Sequence, residues 1–278
     1  MKTITWRIII TLALPVLLIV LWSFLARQIE NEVILPFVDQ VARLLLHPTE
    51  NLISMGSLLE NIVVSLVRVL LGYTLAVLIG VPLGIVMGYY GLLYQLFNNF
   101  LNLFRPIPPL AWVPLVMAWF GVASLATLLG LEIGQWYIHL HNLKFSMIFI
   151  IFIGGFYPIL TSSIHGVKNV QKILIDSARV LGARESDVFR KVLLPAAAPA
   201  IVNGMRIGLG IAWMCLVSAE MLPGSLSGVG YLITHAYTVA RTDIVIAGML
   251  SIGAVGAMLD LIFRLWETRK FSWQRQQK

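Results

Sequence analysis

Residues 166–196 read GVKNVQKILIDSARVLGARESDVFRKVLLPA, a charged stretch in a chain that otherwise carries little charge. Apolar residues recur at helical spacing on both sides of Gly182, which has no Cβ and can adopt a conformation that ends a helix. The spacing predicts two short amphipathic helices bent at Gly182, and we expect Pro195 to close this unit before the next helix. The residues alone are equally compatible with an interfacial helix held on anionic lipid by its basic side chains, Lys172, Arg179, Arg184, Arg190 and Lys191.

The composition around this stretch is that of a membrane protein. Of the 278 residues, 59% are hydrophobic and 12% are charged, and the mean hydropathy is +0.87. Soluble domains carry about 25% charged residues, so an ordinary cytosolic globule, a disordered protein and a nucleic-acid binder are excluded. The net charge of +7 lies at the edges of apolar blocks, which is typical of membrane topology. The single cysteine, Cys215, excludes a disulfide framework and a zinc site built on cysteine pairs.

Charge-free runs predict an all-α polytopic membrane protein with about six transmembrane helices. The third predicted span, in chain order, runs through Trp112 and Pro114 to about residue 122, and a turn is expected at residues 89–91. The first run resembles a secretory signal, but its uncharged core is long and no small-residue cleavage pair follows, so we interpret it as a retained helix. The other five predicted spans cover residues 8–25, 62–90, 145–166, 201–222 and 244–265.

The basic residues set the orientation. If the N-terminus is cytoplasmic, six spans place most of the 20 lysines and arginines in cytoplasmic loops, whereas the opposite orientation inverts that bias. We therefore expect both the N- and the C-terminus in the cytoplasm, and residues 166–196 on the same side.

The charged segment resembles a known signature. Asp176-Ser177-Ala178, then Gly182, then residues 192–195 (VLLP) resemble the EAA signature of permease subunits of binding-protein-dependent ABC importers: Glu-Ala-Ala, three residues, Gly, nine residues, Ile-x-Leu-Pro. The spacing fits throughout, and the departures are conservative. We call residues 166–196 the EAA-like segment. The resemblance implies the type I ABC importer permease fold, and docking onto an ATPase subunit by the following residues: Asp176, Ser177, Ala178, Arg179, Leu181, Gly182 and Ala183.

Further stretches resemble the nitrate, sulfonate, taurine and bicarbonate branch of these permeases. They are residues 65–68 (SLVR), 80–84 (GVPLG), 105–115 (RPIPPLAWVPL), 204–210 (GMRIGLG) and 218–222 (SAEML). Residues 124–146 depart from the branch, because an insertion occupies the place where the next span usually follows. The resemblance does not decide the solute.

The resemblance also implies partners. We expect a second permease copy in a homodimer, two ATPase subunits that bind ATP and Mg²⁺, an extracytoplasmic solute-binding protein and the lipid of a bacterial-type inner membrane. This chain itself is expected to hold no cofactor and no metal. Residues 1–61 would form an N-terminal helix and an extracytoplasmic segment, and residues 62–278 the permease core.

Several ionisable and polar residues lie where the spans place them inside the bilayer. Charge is costly there and usually faces protein or a water-filled cavity. Glu220 is either a gating residue at the dimer seam or a structural partner of Arg68 or Arg206, and Asp260 is explained by a helical ion pair with Arg264. The residues that we expect to line or gate the pathway are Arg68, Met205, Arg206, Trp213, Ser218 and Glu220.

Other motifs carry weak or negative signals. His139 and His141 have only Glu132 as a third zinc ligand, so we favour interfacial polar residues there. Residues 223–230 are glycine-rich, but the chain contains no Gly-Lys dipeptide and hence no Walker A phosphate loop. The resemblance implies a re-entrant, scoop-like segment at residues 223–230, with a plain flexible loop as the alternative. Because enzymatic motifs are missing as well, we expect the chain to be no enzyme.

Two other functions remain open from the residues. An ion-gradient-driven secondary transporter would need inverted repeats with broken helices, and only the proline cluster at residues 106–109 mimics one. A membrane scaffold that uses the basic segment for lipid or partner binding leaves the spacing of Asp176, Gly182 and Pro195 unexplained.

Overall fold

The structure is a computed structural model. It describes residues 2–121, 123–130, 133, 134, 137, 140–221 and 224–271, and it describes side chains from residue 13 onward. These residues are helical apart from turns, loops and two isolated backbone bridges. The helices are α1 (Lys2–Ile29), α2 (Val38–Leu46), α3 (Leu58–Tyr89), α4 (Gly91–Phe104), α5 (Val113–Phe120), α6 (Leu125–Leu128), α7 (Phe145–Lys168), α8 (Lys172–Val180), α9 (Glu185–Glu220), α10 (Val229–Thr238) and α11 (Thr242–Lys270).

Helices α3, α7 and α9 pack side by side and form the core of the protein. Glycines on α3 permit this close approach, because a Cβ on Gly72 would lie 2.7 Å from the Cβ of Ile151, and one on Gly84 would lie 2.5 Å from the Cβ of Ser163. Close contact between small residues is a main source of helix association in lipid. The glycines of α3 therefore mark the positions of closest helix packing.

Four helices in the described part of the chain are long and apolar enough to cross a membrane: α3, α7, α9 and α11. They confirm the second, fourth, fifth and sixth predicted spans. The apolar part of α1 whose side chains are described, Ala13–Ile29, is shorter than a full span. A bent pair of helices takes the place of the third span.

The third span is broken at the proline cluster, and its second part ends at Phe120, close to the predicted end at about residue 122. Helix α4 and the helical stretch Pro109–Phe120 meet at an angle of 84°. Pro106, Pro108 and Pro109 explain the break, because proline lacks an N–H donor and disfavours helical conformation in the residue before it. The expected turn at residues 89–91 is confirmed, since α3 ends at Tyr89 and α4 begins at Gly91.

Pro195 does not close the EAA-like segment, contrary to our expectation. The chain stays helical from Glu185 to Glu220, and Val188–Leu193 forms a π-helical stretch just before the proline. In a regular α-helix the ring of Pro195 would clash with the carbonyl of Lys191. The wider π turn makes room for that ring, so the helix passes through the proline instead of ending there.

The end of the bundle opposite the EAA-like segment is closed by short elements. Val41 and Leu44 of α2 pack with Leu232 of α10 and Ile244 of α11. Helix α10 begins directly after Gly228, so the alternative of a plain flexible loop over residues 223–230 is wrong for residues 229 and 230. Leu222 and Pro223 lie outside the described residues.

The 124–146 insertion also lies at this end. Ser124 and Lys144 form a backbone bridge at its base. Glu132 and His139 fall outside the described residues, so the zinc hypothesis has only His141 within them. No group of three potential metal ligands occurs in the part of the chain that was described.

Candidate functional site

The EAA-like segment folds around a glycine-dependent helix cap. Helix α8 ends where the Ala183 N–H donates to the Ala178 carbonyl (3.1 Å) and the Gly182 N–H donates to the Arg179 carbonyl (2.9 Å). This pair of bonds is a Schellman motif, which needs a left-handed residue at the position of Gly182. Gly182 has φ +81°, and no heavy atom lies within 4 Å of the position of an added Cβ. The backbone conformation at this position therefore explains why it is a glycine, whereas steric crowding does not.

The tip formed by this cap exposes apolar side chains. Val180 is 87% exposed and Leu181 is 86% exposed, and Ile173 and Leu174 on α8 are exposed as well. Exposed apolar residues that cluster on a charged segment are typical of an interaction surface. The first of the two helices expected around Gly182 is confirmed, and the second is the first part of α9.

An ion pair joins the two sides of the glycine turn. Arg179 donates from Nε to Glu185 Oε1 (2.8 Å) and from Nη2 to Glu185 Oε2 (3.0 Å). The hydrogen bond and the charge of Glu185 raise the pKa of the Arg179 guanidinium, which stays protonated. Asp176 lies 3.8 Å from the same guanidinium. This two-point contact fixes α8 relative to the start of α9.

The start of α9 is packed onto the end of α3. The rings of Tyr89 and Phe189 meet edge to face at 5.3 Å, and the Tyr89 hydroxyl lies 3.5 Å from Glu185 Oε2. Beneath them, Val167 and Leu193 are buried in a small apolar cluster. The exposed tip thus stands on a packed base and is not a loose loop.

A second site lies inside the bundle at the opposite end. The Arg68 side chain is 1% exposed and the Glu220 side chain 0% exposed, and Arg68 Nη1 donates to Glu220 Oε1 at 2.7 Å. The sequence left Arg68 and Arg206 open as partners of Glu220, and the structure pairs it with Arg68. A buried charge needs such a partner, because isolated charge is costly away from water.

Further hydrogen bonds tie this ion pair to three other segments. Arg68 also donates to the Ser227 carbonyl (2.8 Å), to Ser227 Oγ (2.9 Å) and to the Asn142 carbonyl (2.9 Å). Glu220 accepts from the Gly230 N–H (3.1 Å) and lies 2.8 Å from Ser65 Oγ. We call Ser65, Arg68, Glu220, Ser227 and Gly230 the buried knot, since it connects α3, α9, the 224–228 loop and α10.

Two residues beside the buried knot complete it. Asn61 accepts from the Gly228 N–H at 2.8 Å, and Lys144 donates from Nζ to the Gly224 carbonyl. Burial, together with the nearby Arg68 charge, lowers the pKa of Lys144. Asn61, Ser65 and Ser227 were not among the site residues predicted from the sequence. Ser65 precedes Arg68 by one helical turn, and that spacing on α3 was the available signal.

The remaining predicted pathway residues lie apart from the buried knot. Arg206 lies 3.9 Å from Asp260 and 3.6 Å from Glu267 on α11, and Asp260 also accepts from Arg264 at 3.1 Å as predicted. Met205 packs beside the central core. Trp213 donates to the Ile252 carbonyl, and Ser218 donates to the Met214 carbonyl of its own helix. The role of all six in a pathway stays a prediction.

Comparison with known proteins identifies the family. The sequence model of the binding-protein-dependent transport system inner membrane component matches residues 80–272. A protein of Methanocaldococcus jannaschii that is provisionally named an ABC transporter permease is 45% identical to this chain. The match covers 99% of this chain and 95% of that protein. It is 34% identical to the taurine transport system permease protein of Escherichia coli, over 94% of this chain and 87% of that protein.

A further relative and a solved structure agree. The nitrate import permease protein of Leptolyngbya laminosa is 35% identical over 73% of this chain and 65% of its own length. The fold is similar to a chain in an inward-facing structure of the MetNI methionine ABC transporter, with a TM-score of 0.56, 18% identity and coverage of 75% of this chain and 95% of that one. The resemblance to ABC importer permeases is confirmed. The chain belongs to the inner membrane components of binding-protein-dependent transport systems and is a multi-pass inner membrane permease with the type I fold.

Proposed function

We propose that the chain forms, as a dimer, the translocation pathway of an ATP-driven importer for a small organic sulfonate or oxyanion. Two ATPase subunits would bind the EAA-like segments, and an extracytoplasmic binding protein would deliver the solute. The solute class rests on the taurine and nitrate permeases among the relatives. The binding protein would supply most of the selectivity.

One observation carries the coupling role: the tip at Val180 and Leu181 is exposed, apolar and held in a fixed conformation. Exposed apolar groups gain free energy by burial against a partner, about 25 cal/mol per Å² of apolar surface. A preformed tip loses little conformational entropy on docking, because the Schellman cap and the Arg179–Glu185 contact already restrict it. These features suit a groove on another protein better than a mobile lipid surface.

The path from the tip into the membrane is continuous. Glu185, which holds Arg179, is the first residue of a helix that runs for 36 residues to Glu220. Motion of the docked tip would tilt α9 as a rigid body, and α9 packs along α7 and α3 in the core. Closure of an ATPase dimer would thereby draw the tips together and open the pathway outward, and hydrolysis would reverse the motion.

ATP chemistry would take place in the partner subunits. The sequence lacks a Gly-Lys dipeptide and hence the phosphate loop that cradles a nucleotide. ATP and Mg²⁺ are therefore assigned to the ATPase subunits, and this chain contributes the pathway and the mechanical connection.

Substitution of Leu181 by aspartate tests the docking. A charge at the centre of an apolar contact must be desolvated without a partner, so we expect Leu181→Asp to lower ATPase binding at least about tenfold. The permease would be purified with its ATPase subunit in lipid nanodiscs, and the bound fraction measured with Leu181→Met as the matched apolar control. Unchanged ATPase binding by Leu181→Asp would contradict the proposal and return the segment to lipid binding.

The energy source has its own test. In proteoliposomes with the binding protein, we expect uptake of taurine or nitrate to require ATP on the ATPase side and to survive ionophores that dissipate proton and sodium gradients. Uptake that stops with ionophores and needs no ATP would instead establish a secondary transporter.

A further inference from the structure

A groove on the side of the bundle differs from both sites described above. It is lined by residues of the α4–α5 break, of α7 and of α9, and has a volume of about 420 Å³. None of the six predicted pathway residues lines it. The polar members of its lining are Arg105, Tyr157, Thr161 and Ser162, and apolar residues such as Ile153 and Ile211 complete it.

Arg105 differs from the other arginines that the spans carry. Arg68 is paired with Glu220, and Arg206 lies beside Asp260 and Glu267. Among the residues that the structure describes, Arg105 has no carboxylate within ion-pair distance. A guanidinium is always charged and presents a planar fork that matches an oxyanion. Arg105 is exposed, so the groove has at its edge an accessible positive charge with no carboxylate beside it among the described residues.

Free hydroxyl groups lie along the same groove. The hydroxyl of Thr161 donates to the Tyr157 carbonyl at 2.8 Å, whereas those of Tyr157 and Ser162 make no hydrogen bond to the described residues. Both can donate to a ligand. A charged fork with two free hydroxyl donors is the donor set that a small oxyanion requires.

The depth of the groove places it on a transmembrane route. Thr161 and Ser162 lie seven and six residues before Lys168, the last residue of α7, which corresponds to about 10 Å along the helix axis. Ile153 extends the groove about two turns further from Lys168, to just past the middle of α7. The groove thus runs from mid-helix towards the end of the bundle that carries the EAA-like segment.

A proline in α7 leaves one backbone carbonyl beside the groove without its helical donor. Pro158 lies inside α7 and cannot donate to the carbonyl of Gly154, and both residues line the groove. A carbonyl without a backbone donor is tolerated at membrane depth where it lines a water-filled cavity. Water at this carbonyl would make the groove suited to an ion and unsuited to lipid tails.

We propose that this groove is an anion-binding step on the translocation route, in which Arg105, Tyr157 and Ser162 hold the sulfonate or other small oxyanion group of the transported solute. The proposal rests on the proposed function, because it names where the solute passes within the permease. It differs from the buried knot, which lies at the opposite end and has its charges paired.

Thiol labelling tests the groove without relying on transport. Cys215 is the single cysteine of the permease, so Cys215→Ala together with a cysteine-free ATPase subunit gives a background free of thiols, and Thr161→Cys adds one in the groove. The thiol is treated with two methanethiosulfonate reagents of similar size, one ending in a sulfonate and one in a trimethylammonium group. An exposed residue on α10, outside the groove and outside the membrane-crossing helices, is the control position, Tyr237→Cys. The purified permease–ATPase complex is used in phosphatidylcholine nanodiscs.

We expect the groove thiol to react about tenfold faster with the sulfonate reagent, after correction for the rates with a free thiol, because of the nearby guanidinium. Arg105→Gln should remove most of this preference, whereas Arg264→Gln should retain it. Millimolar taurine or nitrate should slow the labelling. The same preference at Tyr237→Cys would contradict an origin in the groove.

Three results would overturn the inference. Equal rates for both reagents would show that the groove does not select anions. Failure of both reagents to react in a correctly assembled complex would show a dry, lipid-facing groove. In a second set of nanodiscs that contain phosphatidylglycerol, protection by this lipid but not by taurine or nitrate would assign the site to a lipid headgroup. In each case ATP-driven uptake could still occur, so failure of this inference is distinguishable from failure of the proposed function.

Discussion

Two arginine–glutamate pairs show how burial changes the role of the same chemistry. Arg68 and Glu220 meet inside the bundle with exposed fractions of 1% and 0%, whereas Arg179 and Glu185 meet on the EAA-like tip with 48% and 60%. Water screens the exposed pair, so its contribution is to orient the tip. The buried pair has no access to water and must keep both partners. The comparison separates a buried pair that stabilises the fold from an exposed pair on the segment that we propose contacts a partner.

The largest expected effect comes from breaking the buried pair. Glu220→Gln retains a similar shape and leaves the Arg68 charge without a carboxylate, so we expect a loss of about 3–5 kcal/mol in the free energy of unfolding. Thermal unfolding of the detergent-solubilised protein measures it. The double variant Arg68→Gln and Glu220→Gln should lose less than the sum of the single variants, because the pair is directly coupled. A loss below about 1 kcal/mol in Glu220→Gln would contradict the structural role.

Two glycines with positive φ sharpen the comparison, and their substitution is expected to have effects of intermediate size on stability. A Cβ on Gly228, at φ +106°, would collide with the Glu220 carboxylate, whereas a Cβ on Gly182, at φ +81°, would meet open space. We expect Gly228→Ala to cost about 2–4 kcal/mol of stability, from left-handed strain and overpacking together. Gly182→Ala should cost only the strain, about 1–2 kcal/mol. Equal losses in the two variants, measured by the same thermal unfolding, would contradict the difference in packing.

Local and long-range features differed in how far the sequence predicted them. The spans on α3, α7, α9 and α11 follow from charge-free runs, and the turn at Gly182 follows from one residue that tolerates left-handed backbone. The pairing of Arg68 with Glu220 joins positions that are 152 residues apart. The sequence left two candidate partners for Glu220, Arg68 and Arg206, and helix packing decides between them. Such contacts depend on how helices pack, which periodicity does not encode.

The errors have local physical causes that composition did not reveal. An apolar run does not specify the direction of the helix axis. The proline cluster was noted, but the 84° angle between the two helical parts was not predicted. Pro195 was expected to end a helix, and the π-helical stretch Val188–Leu193 accommodates it instead. The Arg105 groove was missed because its lining comes from three separate parts of the chain.

The central claim, that the exposed tip couples ATP hydrolysis to transport while the buried knot holds the fold, is tested most directly by Gly182→Val. A β-branched residue strongly disfavours φ +81°, so the Schellman cap should fail and the tip should lose its fixed conformation. Solute taken up per ATP hydrolysed is measured in proteoliposomes with the ATPase subunit and the binding protein. Gly253→Val is the control, because its added side chain also meets open space but lies within helix α11. We predict a ratio at least about tenfold lower for Gly182→Val, with normal membrane insertion and an unchanged ratio in the control. A normal ratio in Gly182→Val would contradict the account.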